Sequence, residues 1–185
     1  TDAPRKLSLN GVSVADACLL YPEGWPAVAL QNGEAGSQSV TGLSIESVNC
    51  VGLFLYNTDA SLEEVRVSGA RAVGVDIRGA SPTFVGLDVQ DTDGGVAGVG
   101  LGLQATDATV AVFESTFSAN RGPGLAAIRS TLTVDATVVR DNGGAGLALV
   151  ASLATVTNVE VTATRANVAR GWCGFLAGTR RTRLR

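Results

Sequence analysis

The chain contains no histidine. Catalysis that passes a proton through an imidazole to a serine or cysteine is therefore excluded within it, as is a histidine-ligated metal centre. Methionine is also absent, lysine occurs once, at Lys6, and aromatic residues make up 5% of the 185 residues. With neither an initiator methionine nor a signal peptide, the chain reads as an excised or processed piece of a longer one. The formal net charge is −3, the wrong sign for a phosphate backbone, so no nucleic-acid partner is expected. Residues 142–159, NGGAGLALVASLATVTNV, are uncharged but interrupted by Asn142, Thr155, Thr157 and Asn158. They read as buried strands, and no membrane span is expected.

What the chain does have is glycine, 23 residues of it, and an apolar content of 45% rich in valine and alanine. That composition supports a packed core and favours pleated structure over helices. A unit φ-x-x-φ-x-φ, with φ apolar, occurs as Leu9-Val12-Val14, Val40-Leu43-Ile45, Leu62-Val65-Val67 and Phe84-Leu87-Val89. It continues as Val112-Ser115-Phe117, Val134-Thr137-Val139 and Val156-Val159-Val161, with Ser115 and Thr137 as weak members. The first positions are 31, 22, 22, 28, 22 and 22 residues apart, so the base period is 22 with two longer steps. Each unit is followed by a small residue and an alternating segment, as in GLFL from Gly52, GVDI from Gly74, GLGL from Gly100 and GLAL from Gly146. A further such segment, GWCG, starts at Gly171.

A repeat of 20–50 residues indicates a solenoid. Each unit contains at least two segments of period two, and 22 residues leave no room for a helix of three turns. Strands stacked at about 4.8 Å would then line up their Val, Ile and Leu side chains in continuous columns. The expected fold is an all-β, single-domain, right-handed parallel β-helix of about seven rungs, over residues 1–178, followed by a basic tail at 179–185. A leucine-rich repeat is the rival reading. Its asparagine-ended pattern is matched from Val112 to Asn120 and from Val134 to Asn142, but its other half wants regular leucines.

The runs STFSANRGPGL (115–125) and VVRDNGGAGL (138–147) resemble the repeats of right-handed β-helix proteins. That group is the pectate-lyase-like superfamily with its bacterial surface relatives, and the resemblance covers about residues 7–175. It implies the fold and leaves activity open, because members include polysaccharide lyases, glycoside hydrolases, tailspikes and adhesins.

Insertions are where a solenoid carries function. From the third φ to the next small residue the spacing is normally seven; it is 13 from Val14 to Ala27, 11 from Val89 to Gly100 and 10 from Val161 to Gly171. A second corner is lengthened at 32–39 and slightly at 104–111. Outward columns beside these corners place Phe54 and Tyr56 next to Asp76 and Arg78, with Trp25 on the first insertion. Aromatic rings beside polar groups suit a sugar, whose ring face is apolar and whose hydroxyls need donors and acceptors; ordinary exposed aromatics are the plainer reading. Arg66 and Asp88 are neighbours in another outward column.

Asp88, Asp91 and Asp93 offer oxygen ligands of the kind Ca²⁺ takes, although no full Ca²⁺ motif is present and Asp-Gly loops also make ordinary turns. Glu63 and Glu64 are adjacent and point different ways, a poor pair for glycoside hydrolysis. The histidine and aspartate cluster that the resemblance would require of a polygalacturonase is missing. Cys18 and Cys50 fall at the same corner of adjacent rungs, where rung stacking supplies the Cα separation of a disulfide, and Cys173 is left over. The expected function is a non-catalytic extracellular or cell-surface module, structural, adhesin-like or glycan-binding, with a polysaccharide or a protein surface as partner. A polysaccharide lyase, active or degenerate, is the alternative. Open β-helix ends predict end-to-end self-association or continuation of the chain. At the other end, Trp172 and Phe175 are expected to cap the last rung, with order lost after about residue 178.

Overall fold

A strand buries alternate side chains, so inward residues should lie two apart. In this chain they lie three apart wherever the strand changes direction, because one residue at each corner takes left-handed backbone. Gly42, Glu64, Gly86 and Glu114 do so at one corner, Ser47, Gly69, Asp91 and Ala119 at the next, and Asn57, Gly79, Asp107 and Arg129 at the third. Their φ angles lie between 48° and 70°, the region that glycine, asparagine and aspartate enter most readily. The φ-x-x-φ-x-φ unit is the imprint of one such corner: Leu62 is inward, Glu64 turns the chain, and Val65 and Val67 are inward again.

The computed structural model describes residues 7–18, 25–33, 37–95 and 99–164, with the backbone of 175–176 and 182–183. These residues wind into a right-handed parallel β-helix of about six turns, and no helix occurs among them. Each rung gives one strand to each of three parallel sheets. Rung three, for example, is Ser61–Glu63, Arg66–Ser68 and Val73–Arg78. The first and second sheets run into a partial seventh rung, Leu153–Thr157 and Glu160–Thr162. The leucine-rich alternative is overturned, since the half of the repeat that would be its convex segment is the third parallel sheet. Residues 142–159 are strands and connections of rungs six and seven, and no described helix is long and apolar enough to cross a membrane.

Inward columns form one core. Leu62, Phe84 and Val112 stack on the first sheet, Val67, Val89 and Phe117 on the second, and Leu55, Ile77 and Ala105 on the third, all fully buried. The weak positions are satisfied by hydrogen bonds. The Ser115 hydroxyl donates to the Phe113 carbonyl (2.7 Å) and accepts from the Leu87 N–H (3.1 Å), while Thr137 donates to the Asp135 carbonyl (2.9 Å). At the second corner, buried asparagines link rungs. Asn142 Nδ2 donates to the Phe117 carbonyl (3.0 Å), Asn120 Nδ2 donates to Asn142 Oδ1 (3.0 Å), and Asn120 Oδ1 accepts from the Thr92 N–H (3.1 Å). On the surface, Arg129 forms two 2.7 Å hydrogen bonds to Asp107 one rung away, which hold that carboxyl below its ordinary pKa.

One register differs from the sequence reading. Gln104 pairs with Asp76 and Thr106 with Arg78, so rung four enters the third sheet at Gly102 rather than Gly100. The second corner of rung four is therefore 13 residues long, like that of rung one, and the segment 104–111 carries no lengthening. Residues 165–170 of the third insertion, the Gly171 segment with Trp172 and Cys173, and most of the arginine-rich tail lie outside the described residues. The backbone of Phe175–Leu176 pairs antiparallel with Leu147–Val150, and that of Thr182–Arg183 with Glu160–Thr162.

Cys18 and Cys50 are joined by a disulfide across the first two rungs, with Cα atoms 5.9 Å apart and a sequence separation of 32. The insertion it clips is also tied at both ends. The Asn49 N–H donates to the Ala17 carbonyl and the Val51 N–H to the Trp25 carbonyl, each at 3.2 Å. Replacing both cysteines with alanine should lower unfolding free energy by about 2–4 kcal/mol, from the loop entropy restored to the unfolded chain. Urea unfolding of oxidised parent and double variant checks this; equal midpoints would mean that the backbone bonds alone hold the insertion.

Candidate functional site

The third sheet has an outward face on rungs two and three. Strands Val51–Tyr56 and Val73–Arg78 are hydrogen-bonded neighbours, and their register sets Phe54 beside Asp76 and Tyr56 beside Arg78. Residues two apart on a strand share a face, so all four side chains project on the same side. Ala29 and Gln31 flank them on rung one, and Gln104 and Thr106 on rung four.

The four side chains form a connected cluster. Arg78 places Nη2 2.7 Å and Nε 3.1 Å from Asp76 Oδ2. The Asp76 side chain is 4% exposed, whereas Arg78 keeps 57% of its side-chain surface in solvent. Arg78 Cζ sits 5.6 Å from the Phe54 ring centroid, within cation–π range. The Phe54 and Tyr56 rings are nearly parallel, inclined by 10° with centroids 6.3 Å apart. Phe54 is half-buried, and Tyr56, at 46% exposure, is the open ring of the pair. The cluster thus has a buried acidic anchor, a guanidinium oriented by it, and an aromatic edge in solvent.

The described ends of two insertions adjoin this sheet. Both lengthened second corners, on rungs one and four, lead directly into the third sheet on either side of rungs two and three. Trp25 ends the first insertion, immediately before strand Pro26–Gln31, and is 64% exposed. Between the insertions, at the short corners of rungs two and three, Arg71 Nη1 donates to Asn49 Oδ1. The sequence reading leaves out Asn49, Arg71 and Thr106, and its Gly100 start sets Gln104 beside Arg78, where the structure pairs it with Asp76. The 28-residue step from Phe84 to Val112 was the available signal, because the same step carries Asp76 to Gln104 and Arg78 to Thr106.

The aspartates of the fourth rung stand apart. Asp88 faces outward on the second sheet between Arg66 and Thr116. Asp91 is the exposed left-handed corner residue, and Asp93 forms an exposed ion pair with Arg121 at 3.1 Å. Among the described residues, no group of three or more Asp, Glu or Cys side chains is gathered as a metal ion would require.

Three parallel sheets wound right-handed around a Val, Leu and Ile core define a parallel β-solenoid. The chain belongs to the family described as right handed beta helix region, which matches residues 27–179. No curated protein matches it at the sequence level. Among solved structures it is similar to a mutant of the periplasmic alginate epimerase AlgG, with a TM-score of 0.60 and 12% identity over 86% of this chain and 39% of that one. It is also similar to the epimerase without mutation, with a TM-score of 0.50 and 12% identity over 88% of this chain and 43% of that one. The chain therefore spans less than half the length of these structures, and the likeness at this identity is one of fold.

Proposed function

We propose that this chain is a non-catalytic β-helix module that works outside the cytoplasm and binds carbohydrate on the third-sheet face of rungs two and three. The observation that carries this reading is the Phe54–Tyr56–Asp76–Arg78 cluster. A solvent-facing ring lies beside an oriented guanidinium on strands whose backbone is fixed by neighbours on both sides. An aromatic ring accepts the apolar face of a pyranose, and guanidinium, amide and hydroxyl groups accept or donate to its hydroxyls. Gln31, Gln104 and Thr106 extend the polar part of the face. The Cys18–Cys50 disulfide favours an oxidising compartment, and the structural neighbour is named as periplasmic and as acting on alginate.

The reading as a module without glycoside hydrolysis is supported by the carboxylates this face offers. Hydrolysis of a glycosidic bond ordinarily takes two carboxylates flanking it. Asp76 is the one carboxylate in the two outward columns of this sheet among the described residues. Glu63 and Glu64 lie on the first sheet and its corner, and Glu64 turns away through its left-handed backbone.

Binding is tested by retention on a panel of insoluble and gel-embedded polysaccharides. Tyr56→Ala should weaken retention about tenfold, a loss of about 1.4 kcal/mol, with the melting temperature unchanged because the ring is exposed. Undiminished retention would remove the cluster from the site. The alternative, a polysaccharide lyase, is favoured by one observation: a tyrosine, an arginine and an aspartate share one face of a fold that an alginate epimerase also uses. Release of unsaturated product from a uronate polymer, abolished by Arg78→Ala, would establish the alternative in place of the binding module.

A further inference from the structure

We infer that the sugar this face takes is neutral, not a uronate. The inference rests on the carbohydrate-binding reading above and narrows it. A uronate carboxylate is met best by a cation whose charge is not already balanced, and Arg78 is the one cation in the two outward columns of the third sheet among the described residues. Its Nε and Nη2 are both turned onto Asp76, at 3.1 and 2.7 Å. Asp76 is almost wholly buried, so drawing Arg78 away toward a ligand would leave a desolvated carboxylate without its partner, and that penalty opposes the exchange.

Two arginines near the face are paired with exposed carboxylates, and a third, Arg71, donates to Asn49 Oδ1. Arg129 is paired with Asp107 at the third corner, and Arg121 with Asp93 on the rung-four insertion. The whole chain is acidic, with a formal charge of −3, so its mean field repels a polyanion. What remains for a ligand is the Tyr56 ring, the outer donors of Arg78, and the amide and hydroxyl groups of Gln31, Gln104 and Thr106. Amides and hydroxyls both donate and accept, which is the pattern a sugar hydroxyl presents in return. The same charge balance bears on chemistry. Epimerisation and β-elimination remove the proton next to a carboxylate, and a neutral hexose has no such carboxylate to acidify that position.

The test uses affinity electrophoresis of the full chain in gels containing neutral polysaccharides (a β-glucan, a galactan, a mannan) or polyuronates (polygalacturonate, alginate), at 50 and 500 mM NaCl. The expected result is retardation by a neutral polymer that changes less than twofold between the two salt concentrations. It should fall about tenfold in Tyr56→Ala and survive in Tyr56→Phe, which keeps the ring. Retardation by a polyuronate that collapses at high salt and in Arg78→Gln, and falls in Tyr56→Ala, would overturn the neutral assignment while leaving the carbohydrate face in place. No retardation by any polymer, or retardation indifferent to Tyr56→Ala, would overturn the carbohydrate reading and this inference with it.

Discussion

Phe117→Ala should lower the unfolding free energy by about 3–5 kcal/mol, the range for removing a buried aromatic side chain. The ring is fully buried on the second sheet, stacked between Val89 and Val139, so it is the bulky member of a column otherwise built of β-branched residues. Its own rung makes room for it: the neighbouring inward position is Ser115, whose small side chain is satisfied by backbone hydrogen bonds. Truncation would therefore leave a void between two hydrogen-bonded rungs that cannot close without breaking the ladder on one side. Phe117→Leu, which restores most of the volume, should cost less than about 1.5 kcal/mol. Urea unfolding of both variants decides the matter. Similar midpoints for Phe117→Ala and the parent would mean that the solenoid collapses around the gap and that the rungs are free to shift.

The fold was legible because a solenoid writes the same constraint many times. Inward valines, leucines and isoleucines recur every 22 residues, and each corner residue adds one to the count between them, so parallel stacking follows from spacing, whereas the strands per rung were legible only as at least two, and the structure has three. The register of rung four was not legible from its own strand. The run Gly100-Leu101-Gly102-Leu103 matches the rung start at two positions, and a strand's side chains have period two, so a slip of two residues leaves every inward residue inward. The adjoining rungs distinguish the two settings: Leu103 pairs with Val75 on one side and with Leu125 on the other, the setting that the 28-residue step from Phe84 to Val112 also requires. Asn120 and Asn142 show a second ambiguity. A corner asparagine that bonds backbone groups of the adjacent rung answers the same physical need in leucine-rich repeats and in β-helices, so the residue marks a buried corner without naming the solenoid. At the candidate site, the neighbourhood of Phe54, Tyr56, Asp76 and Arg78 followed from column counting, whereas the direction of each side chain did not. That Arg78 turns back onto Asp76 and lies against Phe54, leaving Tyr56 as the open ring, is a matter of rotamers.

Gly102→Ala should destabilise the chain by at least about 4 kcal/mol, at the upper end of what a single substitution does. The glycines that open the third-sheet strands of rungs two to five recur because an added Cβ there would collide with the adjacent rung. A Cβ on Gly102 would lie 2.4 Å from the Gly124 carbonyl oxygen and 2.9 Å from Asn120 Nδ2. Neither atom is free to give way. The Gly124 carbonyl accepts from the Leu103 N–H at 2.9 Å, and Asn120 Nδ2 is held by the Val89 carbonyl and by Asn142 Oδ1. Relief would have to come from moving a whole rung, which strains the ladders on both sides of it. Gly79→Ala is the control. Gly79 has φ of +56° and nothing within 4 Å of its added Cβ, so the change introduces only left-handed strain, about 1–2 kcal/mol. Alanine already occupies equivalent left-handed corners at Ala119, Ala136 and Ala151, which shows the fold accepts that strain. Thermal and urea unfolding of the two alanine variants should therefore separate them widely, with Gly102→Ala far the weaker. If the two lose the same stability, backbone conformation rather than rung-to-rung contact explains the repeating glycines, and the close stacking assigned to Gly52, Gly74, Gly102 and Gly124 is wrong.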